Sequence, residues 1–306
     1  MKKVLLTTTA LVMLAGAASA DIKINGSARF GIQNNGDTTN VFNRMRVNFT
    51  ASGETDGGLT FGAFQRLQTN LSVAGGGNTG SVSGPSIYIS NGTATLTVGN
   101  TSGAVGNTAG LYAVGGCGFS ASNGYLEYCS NVLTRANQFV GSSSGGGGPN
   151  VVRLDFSLGS ATVSLSNNLT GVAATANTEI AASFAMGSAT IGVGYDNGAD
   201  ANGGTWLTAT MDAGSATVGM AYTRSNLGVT GWMLKASTAV GAGKIGVHIA
   251  NDSDTGVVGS TSSRWGLNYA QSLGGGATAI VAVTNGGATA GAVRSTTITA
   301  GLTLGF

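Results

Sequence analysis

From Ile22 to Phe306 this chain alternates apolar and polar residues at a period of two, and the polar half of that alternation carries almost no charge. Period two is the strand period, because successive side chains leave a pleated backbone on opposite faces. The first instance sets Ile22, Ile24, Gly26, Ala28, Phe30 and Ile32 against Lys23, Asn25, Ser27, Arg29 and Gln33. The last sets Thr296, Ile298, Ala300, Leu302, Leu304 and Phe306 against Thr297, Thr299, Gly301 and Thr303. In between, Met45, Val47, Phe49 and Ala51 oppose Arg44, Arg46, Asn48 and Thr50, and Leu59, Phe61, Ala63 and Leu67 oppose Thr60, Gly62, Arg66 and Gln68. A soluble sheet protein of this size covers its water-facing side with Lys and Glu. Here only 8% of residues are charged, against about 25% in an ordinary soluble domain. The alternation is therefore read inside out: apolar residues face lipid and polar residues face a watery lumen, as in a membrane β-barrel.

The repeated turns count the strands. Gly159-Ser160-Ala161-Thr162, Gly187-Ser188-Ala189-Thr190 and Gly214-Ser215-Ala216-Thr217 are near-identical, with Gly241-Ala242-Gly243-Lys244 and Gly275-Gly276-Ala277-Thr278 as degenerate copies. They recur about every 27 to 34 residues, one hairpin plus one longer loop. Asp56-Gly57-Gly58 and Asn91-Gly92 supply two earlier turns. Seven turns join fourteen strands, and the first and last strands bring the total to sixteen. Both termini then lie on the tight-turn side. Longer loops are expected on the other side, near residues 34–40, 70–85, 100–150, 168–178, 196–204, 224–230, 251–262 and 286–294. The rival reading is a secreted adhesin or β-solenoid, which calls for a short fixed repeat that this chain lacks.

The first twenty residues read as an address. Lys2 and Lys3 precede the mostly apolar Val4–Ala15, and Ala18-Ser19-Ala20 is a small-x-small cleavage site. The expectation is a signal peptide over residues 1–20, cleaved before Asp21, and one barrel domain over 21–306. Fourteen Lys and Arg less Lys2 and Lys3 leave twelve, against twelve Asp and Glu, so a basic footprint for nucleic acid is excluded. No run of 18 apolar residues exists, which excludes a transmembrane helix.

The beginning and end of the mature chain resemble Gram-negative general diffusion porins, in particular the alphaproteobacterial branch. Asp21-Ile22-Lys23-Ile24-Asn25-Gly26-Ser27-Ala28-Arg29-Phe30-Gly31 is similar to their first strand. Residues 44–59, Arg44 through Leu59, are similar to their second hairpin. The terminal Phe306 resembles the signal such barrels present to the barrel assembly machinery. The resemblance implies a sixteen-stranded antiparallel transmembrane barrel in the outer membrane, trimeric, with its third long loop folded inward. Such a barrel passes ions and small hydrophilic solutes passively, with no cofactor and no enzymatic activity. The alternatives are a channel for one solute class, such as a sugar or an anion, and a non-conducting adhesin.

Strand parity turns Lys23, Arg29, Arg44, Arg46 and Arg66 inward, onto three neighbouring strands. They form one basic patch on the channel wall, where rings of charge set ion preference. The family sets acids on the third loop against such a patch. Here residues 100–150, the expected constriction loop, offer only Glu127, with Arg135 as a further base. The expectation is weak selectivity leaning to anions; the competing reading pairs these arginines with Glu54, Asp56 or Asp37. Most of the loop has enough apolar content to pack, whereas the Gly/Ser run Ser142–Gly148 is expected to be flexible. Cys117 and Cys129, both in this loop, are a candidate disulfide in an exported protein, or else two thiols. Zinc is not supported, since only His248 could join the cysteines. His248 lies between Val247 and Ile249, faces the lumen by parity and lacks a G-x-S-x-G partner motif, so it reads as a channel-lining residue. Asp252 and Asp254 are the one candidate for calcium, in an external loop. Tyr195, Trp206, Tyr222, Trp232, Trp265 and Tyr269 fall near strand ends and are read as interfacial girdles.

Overall fold

The computed structural model describes residues 21–71, 79–108, 142–144, 147–169, 177–198, 203–226, 228–252, 263–285 and 296–306. The leader, Cys117, Glu127, Cys129, Arg135, Asp254 and the side chain of Asp252 lie outside the described residues.

The strands are β1 (Asp21–Asn34), β2 (Thr39–Glu54), β3 (Thr60–Leu71), β4 (Thr79–Val82), β5 (Ser86–Ser90), β6 (Ala94–Gly99), β7 (Val151–Leu158), β8 (Ala161–Asn168) and β9 (Thr178–Met186). They continue as β10 (Ala189–Asp196), β11 (Gly204–Ala213), β12 (Ala216–Ser225), β13 (Thr230–Val240), β14 (Gly243–Asp252), β15 (Arg264–Gly274), β16 (Ala277–Asn285) and β17 (Thr296–Gly305). One short helix, α1 (Ala104–Thr108), follows β6. Apart from β4 and β5, each strand pairs antiparallel with its neighbours in sequence, and β1 pairs with β17 from Ser27↔Gly305 to Asn34↔Ile298, which closes the barrel. Gly26 and Phe306 exchange both backbone bonds at the seam, at 2.6 and 3.1 Å. Closure leaves no row of unpaired amides along the lipid-facing wall.

Among the described residues seventeen strands occupy sixteen barrel positions, because β4 and β5 both pair with β3. The break falls at Ser83-Gly84-Pro85, and β4 lies within residues 70–85, where the sequence leads one to expect a loop. Pro85 has no N–H to give to a ladder. The gap is bridged locally: the Arg66 N–H donates to Ser83 Oγ at 3.0 Å, and Gln65 Nε2 donates to the Ser83 carbonyl at 3.0 Å.

All seven expected tight turns are present. At Gly159, Gly187, Gly214 and Gly241 only two residues separate the paired strand ends, as in Leu158↔Ala161. The first loop residue has φ of 57 to 68°. Both primed hairpin turns require positive φ there, which is why the repeat begins with glycine. Two of the expected long loops are short. Residues 35–38 form a compact turn in which Asn35 Oδ1 accepts from the Asp37 and Thr38 N–H groups, and only 226–229 separate β12 from β13.

Burial runs in the inverted sense throughout. Ile22, Ile180, Ile249 and Ile298 are exposed, each about half or more, whereas Arg29, Ser164, Thr223, His248 and Thr299 are buried. Apolar surface of this extent on a protein exterior is stable only against lipid or another protein.

Candidate functional site

The inward face of β1–β3 carries the basic patch. Arg29 and Arg44 are directly opposite in the ladder, as are Arg46 and Gln68, and Asn48 and Arg66. Two amides orient two guanidiniums. Arg66 Nε donates to Asn48 Oδ1 at 2.9 Å, and Arg46 Nε donates to Gln68 Oε1. Asn48 is itself held, donating to Asn25 Oδ1 at 2.8 Å, and Phe64 lies beneath Arg66 with its ring centroid 5.3 Å from Cζ. One Nη of each guanidinium converges on the same atom: Ser144 Oγ accepts from Arg46 Nη2 at 3.2 Å and from Arg66 Nη1 at 2.9 Å. Four of the five predicted basic residues thus stand together. Lys23 does not. It is exposed at the tight-turn rim, six residues below Arg29 and so roughly 20 Å away along the strand.

Local pairing with the named acids does not occur. Glu54 lies eight residues below Arg46 on β2, roughly 26 Å at ~3.3 Å per residue. With Asp21 and Asp56 it lines a recess at the tight-turn mouth. Asp37 sits in the turn before β2, seven residues from Arg44.

A second charged region lies across the barrel on β7–β10, and sequence reasoning missed it. Arg153 and Asp155 form an ion pair at 2.9 Å, and Ser164 Oγ donates to Asp155 at 2.5 Å. Glu179 and Asp196 are directly opposite on β9 and β10, and both are fully buried. Asp196 accepts from the Gly198 N–H at 2.7 Å and from Asn177 Nδ2 at 3.2 Å. Parity does signal these positions: Leu154, Ile180 and Tyr195 alternate with them and face outward. Glu179 and Asp196, however, stand at the loop-side ends of their strands, where an expected boundary hides the parity.

Helix α1 is seated on this second region. The Val105 N–H donates to Glu179 Oε2 and the Ala104 N–H to Ser166 Oγ, both at 2.8 Å, and the Thr108 and Ser164 hydroxyls share a hydrogen bond. Arg153 Nη1 donates to Thr101 Oγ1 at 2.9 Å and to the Ser102 carbonyl at 2.5 Å. Gly103 admits the carboxylate, since a Cβ there would lie 2.2 Å from Glu179 Oε2. Where the chain returns, Asn100 and Ser143 bond reciprocally, each contact 2.8 Å. The Ser142–Ser144 part of the Gly/Ser run is thus held at named atoms.

His248 is inward and buried as parity predicts, directly opposite Lys235 on β13. Its ring lies over Gly266, where a Cβ would come within 2.1 Å of Cε1. Two girdle expectations are corrected. Trp206 alternates with the outward Leu207, faces inward and is fully buried. Tyr269 lies in mid-strand, where its hydroxyl donates to Gln271 Oε1 at 3.1 Å. Tyr195, Tyr222, Trp232 and Trp265 face outward within four residues of the loop-side strand ends. Among the described residues no cluster of three metal-ligating side chains occurs.

Residues 7–304 match the model of the Gram-negative porin family. A porin of Rhodobacter capsulatus is 54% identical over 43 residues, a stretch that spans 14% of either chain. Two solved mutant forms of Rh. blastica porin superpose with a TM-score of 0.75 at 21% identity, covering 94% of this chain and 100% of the other.

Proposed function

The chain belongs to the Gram-negative porin family, and we propose that it is an outer-membrane channel through which ions and small hydrophilic solutes diffuse down their gradients. The observation that carries this reading is the inverted barrel. A closed wall of sixteen positions puts Ile, Val and Leu outside and Arg, Ser, Thr and His inside. Porins are channels and not enzymes; a pore needs its inner side chains to be polar and placed, not to react.

The segment from 100 to 150 serves as the constriction. Its described ends support this, because α1 is bonded to β8 and β9 while Ser144 is bonded to β2 and β3. β8 and β9 lie five positions round from β2 and β3, where eight would be diametrical, so the two anchorages stand well apart on the wall and the segment between them has to cross the lumen. Glu127 and Arg135 belong to the stretch between them, and Cys117 paired with Cys129 would shorten its free length. Selectivity leans to anions, since the arginines of β1–β3 face the lumen and the carboxylates of β9–β10 are covered.

The protomer works as a trimer, exported by the leader 1–20 and presented for assembly through Phe306. The tyrosines and tryptophans on the outer wall among the described residues, Tyr195, Tyr222, Trp232, Trp265 and Tyr269, all lie on β10–β15. The arc from β16 through β1 to β7, which has no outward Tyr or Trp among the described residues, is the arc that suits contact with other protomers rather than lipid headgroups. Calcium at Asp252 and Asp254 would be an accessory of an external loop.

The test is conductance of the purified protein in a planar bilayer. The expected result is stable steps, arriving in threes, with conductance linear in salt. Folded protein that conducts nothing would overturn the reading in favour of an adhesin.

A further inference from the structure

We infer that the Arg46–Arg66 fork is a subsite for small oxyanions, such as phosphate or a carboxylate, whose oxygen replaces Ser144 Oγ. This rests on the channel reading and sharpens it. The geometry is that of a built site. Each guanidinium is turned by an amide on the neighbouring strand, Asn48 for Arg66 and Gln68 for Arg46, so that the Nε donors are used sideways. One Nη donor of each then points to the same place, 2.9 and 3.2 Å from a single oxygen. The break at Ser83–Pro85 contributes to this, because the Arg66 N–H is tied to Ser83 Oγ.

The present occupant is a poor match for its donors. A hydroxyl oxygen is neutral, yet it accepts from two cations at once. Charge-assisted bonds to an anionic oxygen are about twice as strong as bonds to a neutral one. Guanidinium forks are shaped for phosphate and carboxylate oxygens. Arg46 has interactions beyond these, so the inference stands on the shared oxygen and not on an idle side chain. Ser144 can yield. It is attached through Ser143 to Asn100, and its own side chain makes no bond in the described structure other than those to the two arginines. An anion crossing the channel would pause at the fork, and transport of such solutes would saturate where chloride transport does not.

The experiment measures chloride current through the purified full-length protein at constant ionic strength, with increasing inorganic phosphate. The expected result is a saturable fall in current. Arg66→Gln should raise the half-blocking phosphate concentration roughly tenfold, the effect of losing one charge-assisted bond. Arg44→Gln removes an equal charge outside the fork and should leave that concentration within about twofold. Ser144→Ala removes the competing oxygen and should lower it; an unchanged or higher value would overturn the replacement. A linear, unsaturating response in wild-type protein that conducts chloride would overturn the subsite alone. Absence of any chloride current would instead overturn the channel reading. Heat-modifiable gel mobility of each variant separates loss of folding from loss of binding.

Discussion

The two charged walls of this barrel hold similar residues in opposite circumstances. On β1–β3, Arg66 bonds to the neutral Asn48 and Ser144, and the partners of Arg46 include the neutral Gln68 and Ser144. On β7–β10, Arg153 is neutralised by Asp155, and Glu179 and Asp196 are fully buried, with two backbone N–H groups and a side-chain amide bonded to them. Net charge near zero therefore does not make a neutral channel. What a passing ion feels depends on which charges are left facing water, because burial and pairing remove the rest. We infer that the first wall presents charge to the lumen, whereas the second spends its charge on holding a helix.

That contrast can be broken most severely at α1. Gly103→Val would drive a side chain into Glu179, since even the Cβ would lie 2.2 Å from Oε2. The expected cost is about 2–3 kcal/mol, combining overpacking with the loss of a bond to a charged acceptor. It should appear as a lower unfolding temperature on gels and a changed single-channel conductance. An unchanged conductance would mean that α1 does not help to define the passage.

Selectivity sharpens the comparison from the other side. Arg44→Gln with Arg46→Gln should reduce the anion-to-cation permeability ratio by roughly two- to fivefold, as expected for about 0.5–1 kcal/mol of partly screened interaction. The ratio is read from the reversal potential in a salt gradient, and no shift would remove these residues from selectivity. Arg153→Gln tests the second wall. It releases Asp155 from its ion pair and should move the ratio the same way, by about twofold or less. A clearly larger fall would mean that Arg153 already presents its charge to the lumen.

The smallest effect is expected at Trp206. Its indole Nε1 is buried without a partner among the described residues, so Trp206→Phe removes an unsatisfied donor. Stability should change by less than about 1 kcal/mol in thermal unfolding, because the lost packing is offset by the removed desolvation cost. A larger loss would assign the indole N–H an unseen partner.

Much of this molecule could be read from the sequence, for local reasons. The Gly-Ser turns require positive φ, and that need is satisfied by chemistry within four residues. The inward placement of Arg29, Arg44, Arg46 and Arg66 follows from parity, which two neighbours determine. One failure is local and the others are not. Residue type at a strand end points Trp206 to a girdle, whereas the parity of Leu207 turns it inward. The seat of α1 joins Val105 to Glu179, 74 residues away, and no pattern in either stretch announces the other. Ser144 meets Arg46 across 98 residues of chain. Strand periodicity fixes which face a residue takes; it says nothing about which loop will lie against it.

The reversal potential of the unmodified protein in a potassium chloride gradient tests the central claim most directly. If the β1–β3 wall alone presents charge to the lumen, the potential takes the sign of chloride preference, and it shrinks as salt rises and screens the arginines. A potential with the sign of potassium preference would contradict the account, because the buried carboxylates of β9 and β10 would then govern the passage.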